Sequence, residues 1–144
     1  MTEHTQQIWV TDVDMDGLND IITGGAHTYG LFWYKQCKDG GGNATFKLNI
    51  IDSTWSQVHA ITLSDVDKDG DMDILTGKRW RAHGLGDPGG VEPAGVYWYE
   101  LQSGASTKLV KHVLSFNSGI SAGMSVAVAD MDGARLASAW IFRN

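Results

Sequence analysis

Residues Thr11 to Gly24 read TDVDMDGLNDIITG, and residues Ser64 to Gly77 read SDVDKDGDMDILTG. The first places Asp12, Asp14, Asp16 and Asp20 around Gly17, and the second places Asp65, Asp67, Asp69 and Asp73 around Gly70. Like charges this dense repel one another, so the pattern makes chemical sense beside a cation. Hard carboxylate oxygens in such number suit calcium, which takes about six to eight oxygen ligands in a flexible shell. Each loop runs into a β-branched stretch, Ile21-Ile22-Thr23 or Ile74-Leu75-Thr76, closed by a glycine.

The correspondence continues outward from the loops. Gly30-Leu31-Phe32-Trp33-Tyr34-Lys35 matches Gly95-Val96-Tyr97-Trp98-Tyr99-Glu100, and Phe46 to Ile51 matches Leu109 to Leu114. After each, an apolar run leads to the next acidic loop: His59 to Leu63, then Met124 to Val128. One period thus holds four short β-like runs separated by turns. The second period is longer through Arg81 to Pro93, where Gly84-Leu85-Gly86-Asp87-Pro88-Gly89-Gly90 predicts a loop. Four antiparallel strands per repeat describe a β-propeller blade. The expected fold is therefore all-β, with blade one over about residues 8–52, blade two over 58–116 and a half blade over 124–143.

On these residues the chain resembles the FG-GAP/VCBS repeat family of β-propellers, over most of residues 8 to 132. The likeness rests on the D-x-D-x-D-G-x-x-D loop, the Ile-Ile/Leu-Thr-Gly strand and the Gly-x-x-Trp-Tyr strand. It implies that each loop joins the first two strands of a blade and binds calcium, two ions per chain. The implied ligands are Asp12, Asp14, Asp16 and Asp20 with the Leu18 carbonyl, and Asp65, Asp67, Asp69 and Asp73 with the Asp71 carbonyl. Relatives with this repeat are mostly secreted or at the cell surface, whereas Met1 to Gln7 shows no export signal, which leaves localisation open. An EF-hand shares the D-x-D-x-D-G opening but needs a Glu at loop position twelve and flanking helices. Thr23 and Thr76 stand there instead, and strand-forming residues follow.

A third unit opens with Asp130-Met131-Asp132-Gly133, but Ala134 to Ser138 lacks the later carboxylates. Either the loop is shortened or its ligand set has decayed, and a complete third site is not expected. A propeller needs roughly four to eight blades. Closure by self-association is the expectation, a homodimer first and a homotrimer second, with a piece of a longer propeller as the alternative.

Composition agrees with a turn-rich β protein: among 144 residues there are 18 Gly, six Trp and two Pro, and only 19% are charged. The formal charge of −6 is concentrated in the loops, and no Lys/Arg-rich run suggests nucleic acid as a partner. The one basic cluster, Lys78, Arg79 and Arg81, reads as a solvated loop. Cys37 is the lone cysteine, which excludes an intrachain disulfide. No segment approaches the apolar length of a membrane-spanning helix.

Candidate site residues beyond the loops are fewer. His27, His59 and His83 lie near blade ends and are weak candidates for a catalytic base, with no HxH or HExxH spacing. Trp55 and Trp80 lie near turns and are candidate ligand contacts. Alternation sends Trp and Tyr of each Trp-Tyr pair to opposite faces, one toward core and the other available for stacking on a sugar. No nucleophile elbow, P-loop or dinucleotide fingerprint occurs. The sequence thus favours a lectin-like module with structural calcium that recognises carbohydrate or protein. A metal-dependent hydrolase of lactones, aryl esters or phosphotriesters, sited in the channel of an assembled ring, is the second reading. A purely structural assembly piece is the third.

Overall fold

The computed structural model describes residues 7–81, 86–104 and 106–129, together with the backbone of 138–141. His83 and the third loop at Asp130 and Asp132 lie outside the described residues. Among the described residues there is no helix, and so none that could cross a membrane.

Ten strands follow in chain order among the described residues. The first sheet contains β1 (Ile8–Thr11), β2 (Asp20–Gly24), β3 (Tyr29–Lys38) and β4 (Ala44–Ser56). The second contains β5 (Val58–Ser64), β6 (Asp73–Lys78), β7 (Gly95–Gln102) and β8 (Lys108–Phe116). A hairpin of β9 (Val126–Ala129) and β10 (Ser138–Ile141) comes last. Each four-stranded sheet is antiparallel and ordered as the chain runs. This is the meander expected of short amphipathic runs joined by turns. The acidic loops join β1 to β2 and β5 to β6, so both sit at the same end of their sheets.

Register decides which side chains share a face. In the second sheet Ile74 pairs with Tyr99, Thr76 with Tyr97, and Tyr97 with Val113. This face, with Ile61 and Leu101, packs on Val13, Ile22, Leu31, Trp55 and Val58 to form the main core. Its opposite face, with Leu75 and Trp98, meets Ala122, Val126 and Val128 at the hairpin. The elements are therefore stacked face to face in chain order. Burial of large side chains at roughly 1.5–3 kcal/mol each makes these two seams the main source of stability.

β4 runs farther than its amphipathic pattern predicts, as far as Ser56. Its last turn-ward residues clasp the second sheet. Trp55 Nε1 donates to Tyr99 Oη at 2.8 Å, and Tyr99 Oη donates to Asp52 at 2.6 Å. Lys111 Nζ reaches the same Asp52 oxygen at 2.6 Å and lies 4.3 Å from the Tyr97 ring centroid. Burial pushes the Asp52 carboxyl up, but Lys111, Tyr99 and Thr54 outweigh it and hold it down to about 2.

Candidate metal centres

The two acidic loops adopt one conformation twice. Asp12 accepts from the backbone N–H groups of Asp16 and Gly17 at 3.1 and 2.8 Å. Asp65 does the same for Asp69 and Gly70, both at 3.1 Å. Gly17 and Gly70 have φ of 86° and 100°, in the left-handed region that glycine enters at no steric cost. Met15 and Lys68, at matching positions, are also left-handed, with φ of 58° and 64°.

Asp20 and Asp73, at the loop exits, are fully buried. Asp20 accepts from Val13 N at 3.2 Å, Gln36 N at 2.7 Å and Trp33 Nε1 at 2.8 Å. Asp73 accepts from Val66 N at 3.1 Å and Leu101 N at 2.8 Å. Each carboxylate thereby ties the loop to the third strand of its sheet. Burial pushes the Asp73 carboxyl up from its ordinary value.

In the first loop, oxygens of Asp12, Asp14 and Asp20 gather within 4.8 Å of one another, and in the second, oxygens of Asp65, Asp67 and Asp69 do so. Asp14 Oδ1 is buried and accepts no hydrogen bond. An orphaned carboxylate oxygen inside a carboxylate cluster fits a cation ligand. Asp16 stands apart in the first loop, paired instead with Lys35 Nζ at 2.9 Å. Leu18 and Asp71 use their N–H groups on Asp16 and Asp69, both at 2.9 Å, and the Asp71 carboxylate accepts from Ser103 N at 3.2 Å.

The loops differ in one respect that motif reading alone misses. Lys35 of β3 contacts Asp14 as well as Asp16, so the first loop carries its own counter-charge, which lowers the Asp16 carboxyl and raises the Lys35 ammonium. The matching residue of β7 is Glu100. Burial, with Asp69 and Glu100 beside it, pushes the Asp67 carboxyl up. Glu100 is itself hydrogen-bonded to His112 Nε2 at 2.7 Å. The signal was in the alignment of the two Trp-Tyr strands, where Lys35 falls against Glu100.

Two of the three candidate histidines converge at the other end of the sheets. The rings of His27 and His59 lie edge to face, 5.5 Å between centroids, and His27 Nδ1 pairs with Asp87 at 2.9 Å. His59 is buried. Trp55 is core, hydrogen-bonded in the clasp, whereas Trp80 is exposed with Arg81 packed 4.6 Å from its ring. The Trp-Tyr pairs do split between faces: Tyr97 and Tyr99 enter the main core, while Trp98 packs toward the hairpin and stacks on His112.

Duplicated four-stranded antiparallel sheets, each with an acidic loop between its first two strands, define an all-β protein of repeat construction. Residues 12–76 match the family model of the FG-GAP-like repeat, so the chain carries a repeat of that family. Neither a curated protein nor a solved structure matches the chain.

Proposed function

We propose that the chain is a calcium-stabilised β-propeller module whose role is recognition of a carbohydrate or protein ligand. The observation that carries the calcium reading is a cluster of three carboxylates in each loop, Asp12, Asp14 and Asp20 in the first and Asp65, Asp67 and Asp69 in the second, with an orphaned oxygen at Asp14. The ions are structural: they neutralise loops that join the inner strands and favour the folded state by mass action. Thermal unfolding with calcium and with chelator tests this. Calcium should raise Tm with a stoichiometry of two, and Asp12→Asn or Asp65→Asn should each remove one site. An unchanged Tm across millimolar calcium refutes it.

One face of the first sheet, exposed among the described residues, supports a ring. Val10, Ile21, Tyr34 and Leu48 lie side by side on the first sheet, next to Ile8, Thr23, Phe32 and Ile50. Ile8, Val10, Leu48 and Ile50 are exposed. The corresponding face of the second sheet, bearing Ile74, Tyr97 and Tyr99, is buried against the first. The complement of the open face is therefore another sheet of this kind, supplied by a second copy in a homodimer, with a homotrimer as the larger alternative. Light scattering behind size exclusion decides between them, and a monomer at high concentration removes the self-association reading.

A hydrolase of lactones, aryl esters or phosphotriesters is the second reading, favoured by the His27–His59 contact and the Asp87 carboxylate on His27. Ester or phosphotriester turnover that survives both His27→Ala and His59→Ala dismisses these bases.

A further inference from the structure

At the end of the sheets opposite the acidic loops lies a cavity of about 500 Å³. Its walls come from the end of β4 (Thr54, Trp55), the end of β6 (Lys78), β7 (Tyr97), β8 (Lys111, Phe116) and the preceding loop (Glu92). The size is that of an ordinary small-molecule site. Both sheets that wall it belong to one chain.

Lys78 is the anomaly in it. The residue is 1% exposed, yet among the described residues its ammonium has only two hydrogen bonds, both at 3.4 Å, to the neutral oxygens of Ser56 and Gln57. An ammonium carries three donors, and 3.4 Å is the far limit of the interaction. Among the described residues no carboxylate forms a salt bridge with it. Glu92 attracts it only at longer range and is held by the Tyr29 hydroxyl at 2.5 Å. A buried charge so poorly compensated is costly, and an anion placed beside it would offset that cost.

The neighbouring surfaces define the rest of the ligand. Trp55 and Tyr97 lie 4.9 Å apart between centroids, and Phe116 and Val113 offer further apolar surface on β8. Lys111 adds positive potential, partly spent on Asp52. Glu92 is kept in place by the loop: Gly89, at φ of 72°, packs so close that a Cβ there would lie 2.3 Å from Ser56 Oγ and 2.8 Å from Glu92 Oε2.

We propose that this cavity binds a small organic carboxylate with a flat apolar body, its carboxylate on the Lys78 ammonium and its body against Trp55, Tyr97 and Phe116. Burial lowers the Lys78 ammonium from its ordinary value in the ligand-free protein, and a bound carboxylate reverses that shift. The site is separate from the acidic loops and does not depend on the calcium reading.

The test uses phenylacetate and indole-3-acetate as probes, phenylacetamide as the uncharged counterpart, and titration calorimetry on the full chain. At least one acid should bind saturably at roughly millimolar concentration or below, and phenylacetamide at least tenfold more weakly. Lys78→Met, which replaces the buried charge with an apolar chain of similar length, should remove the preference for the acid. Glu92→Gln takes a like charge from the wall and should tighten acid binding about threefold while leaving the amide unchanged, an independent readout if Lys78→Met fails to fold. Equal affinity for acid and amide overturns the proposal. So does the absence of saturable binding by both acids, or acid binding that is unaltered in a folded Lys78→Met protein.

Discussion

Removing the Asp52 charge should loosen the joint between the two sheets by an amount that depends on pH. The carboxylate is 7% exposed and faces Lys111 Nζ at 2.6 Å, with Tyr99 Oη donating to the same oxygen. These partners hold its pKa at about 2, against an ordinary 3.8. At about 1.4 kcal/mol per pKa unit, this difference corresponds to roughly 2 kcal/mol of folding stability. The folded-state value is depressed, so the contribution is complete above the unfolded pKa near 4. It is lost as pH falls from there through about 2. Asp52→Asn should therefore destabilise the protein by about 2 kcal/mol at pH 6 and by close to nothing near pH 2. Urea unfolding followed by tryptophan fluorescence, in chelator at every pH so that cation release plays no part, measures both. The informative quantity is the difference between wild type and variant, because other carboxylates titrate in both. A difference that stays constant from pH 6 to pH 2.5 refutes the assignment of that stability to the Asp52 charge. Lys111→Met in a double-mutant cycle should recover a coupling of about 1–3 kcal/mol.

Lys35→Met should tighten calcium at the first loop about tenfold, since the ammonium competes for Asp14 and Asp16, while Glu100→Lys should weaken the second loop by a similar factor. Calcium titration of variants with only one intact loop reads each effect, and identical affinities throughout contradict it. Asp20→Ala strands Val13 N, Gln36 N and Trp33 Nε1, and should cost about 3–5 kcal/mol in chemical denaturation even with chelator present. A loss seen only with calcium would assign Asp20 to the ion instead. Val10→Lys with Ile50→Lys charges the open face of the first sheet and should leave a folded monomer by light scattering, with the assembly retained if that face is not its interface.

Much of the architecture was legible because repetition and period-two alternation are local properties. The loop glycines, the β-branched exits and the Trp-Tyr strands each carry their own signal, and their recurrence at Gly17 and Gly70 or Trp33 and Trp98 multiplies it. The candidate ligands could be numbered for the same reason. What escaped was set by pairing between distant segments. Lys35 reaches its loop because Tyr34 pairs with Ile21, which puts the next residue at the loop mouth. The partners of Asp52 lie on β7 and β8, and β4 extends past its periodic part to reach them. Trp55 reads in the sequence as a residue near a turn, yet its indole packs in the core and shows only its edge to the cavity. Lys78 belonged to what read as a solvated basic cluster, whereas it ends a strand and turns inward. No spacing rule joins His27 to Asp87 across the intervening sheet.

The backbone hydrogen bonds of Asp12, Asp65, Asp20 and Asp73 have a consequence in time. They tie both loops to their own backbone and to the neighbouring strands. If the loops take the proposed calcium, these bonds predict that an arriving ion meets a formed cradle and that a departing one leaves no segment to refold. Exchange is then governed by dehydration and small ligand shifts, steps far faster than refolding of a strand connection. Occupancy should then follow the surrounding concentration promptly in both directions, and the loops would behave as a gauge of the medium that keeps no memory of it.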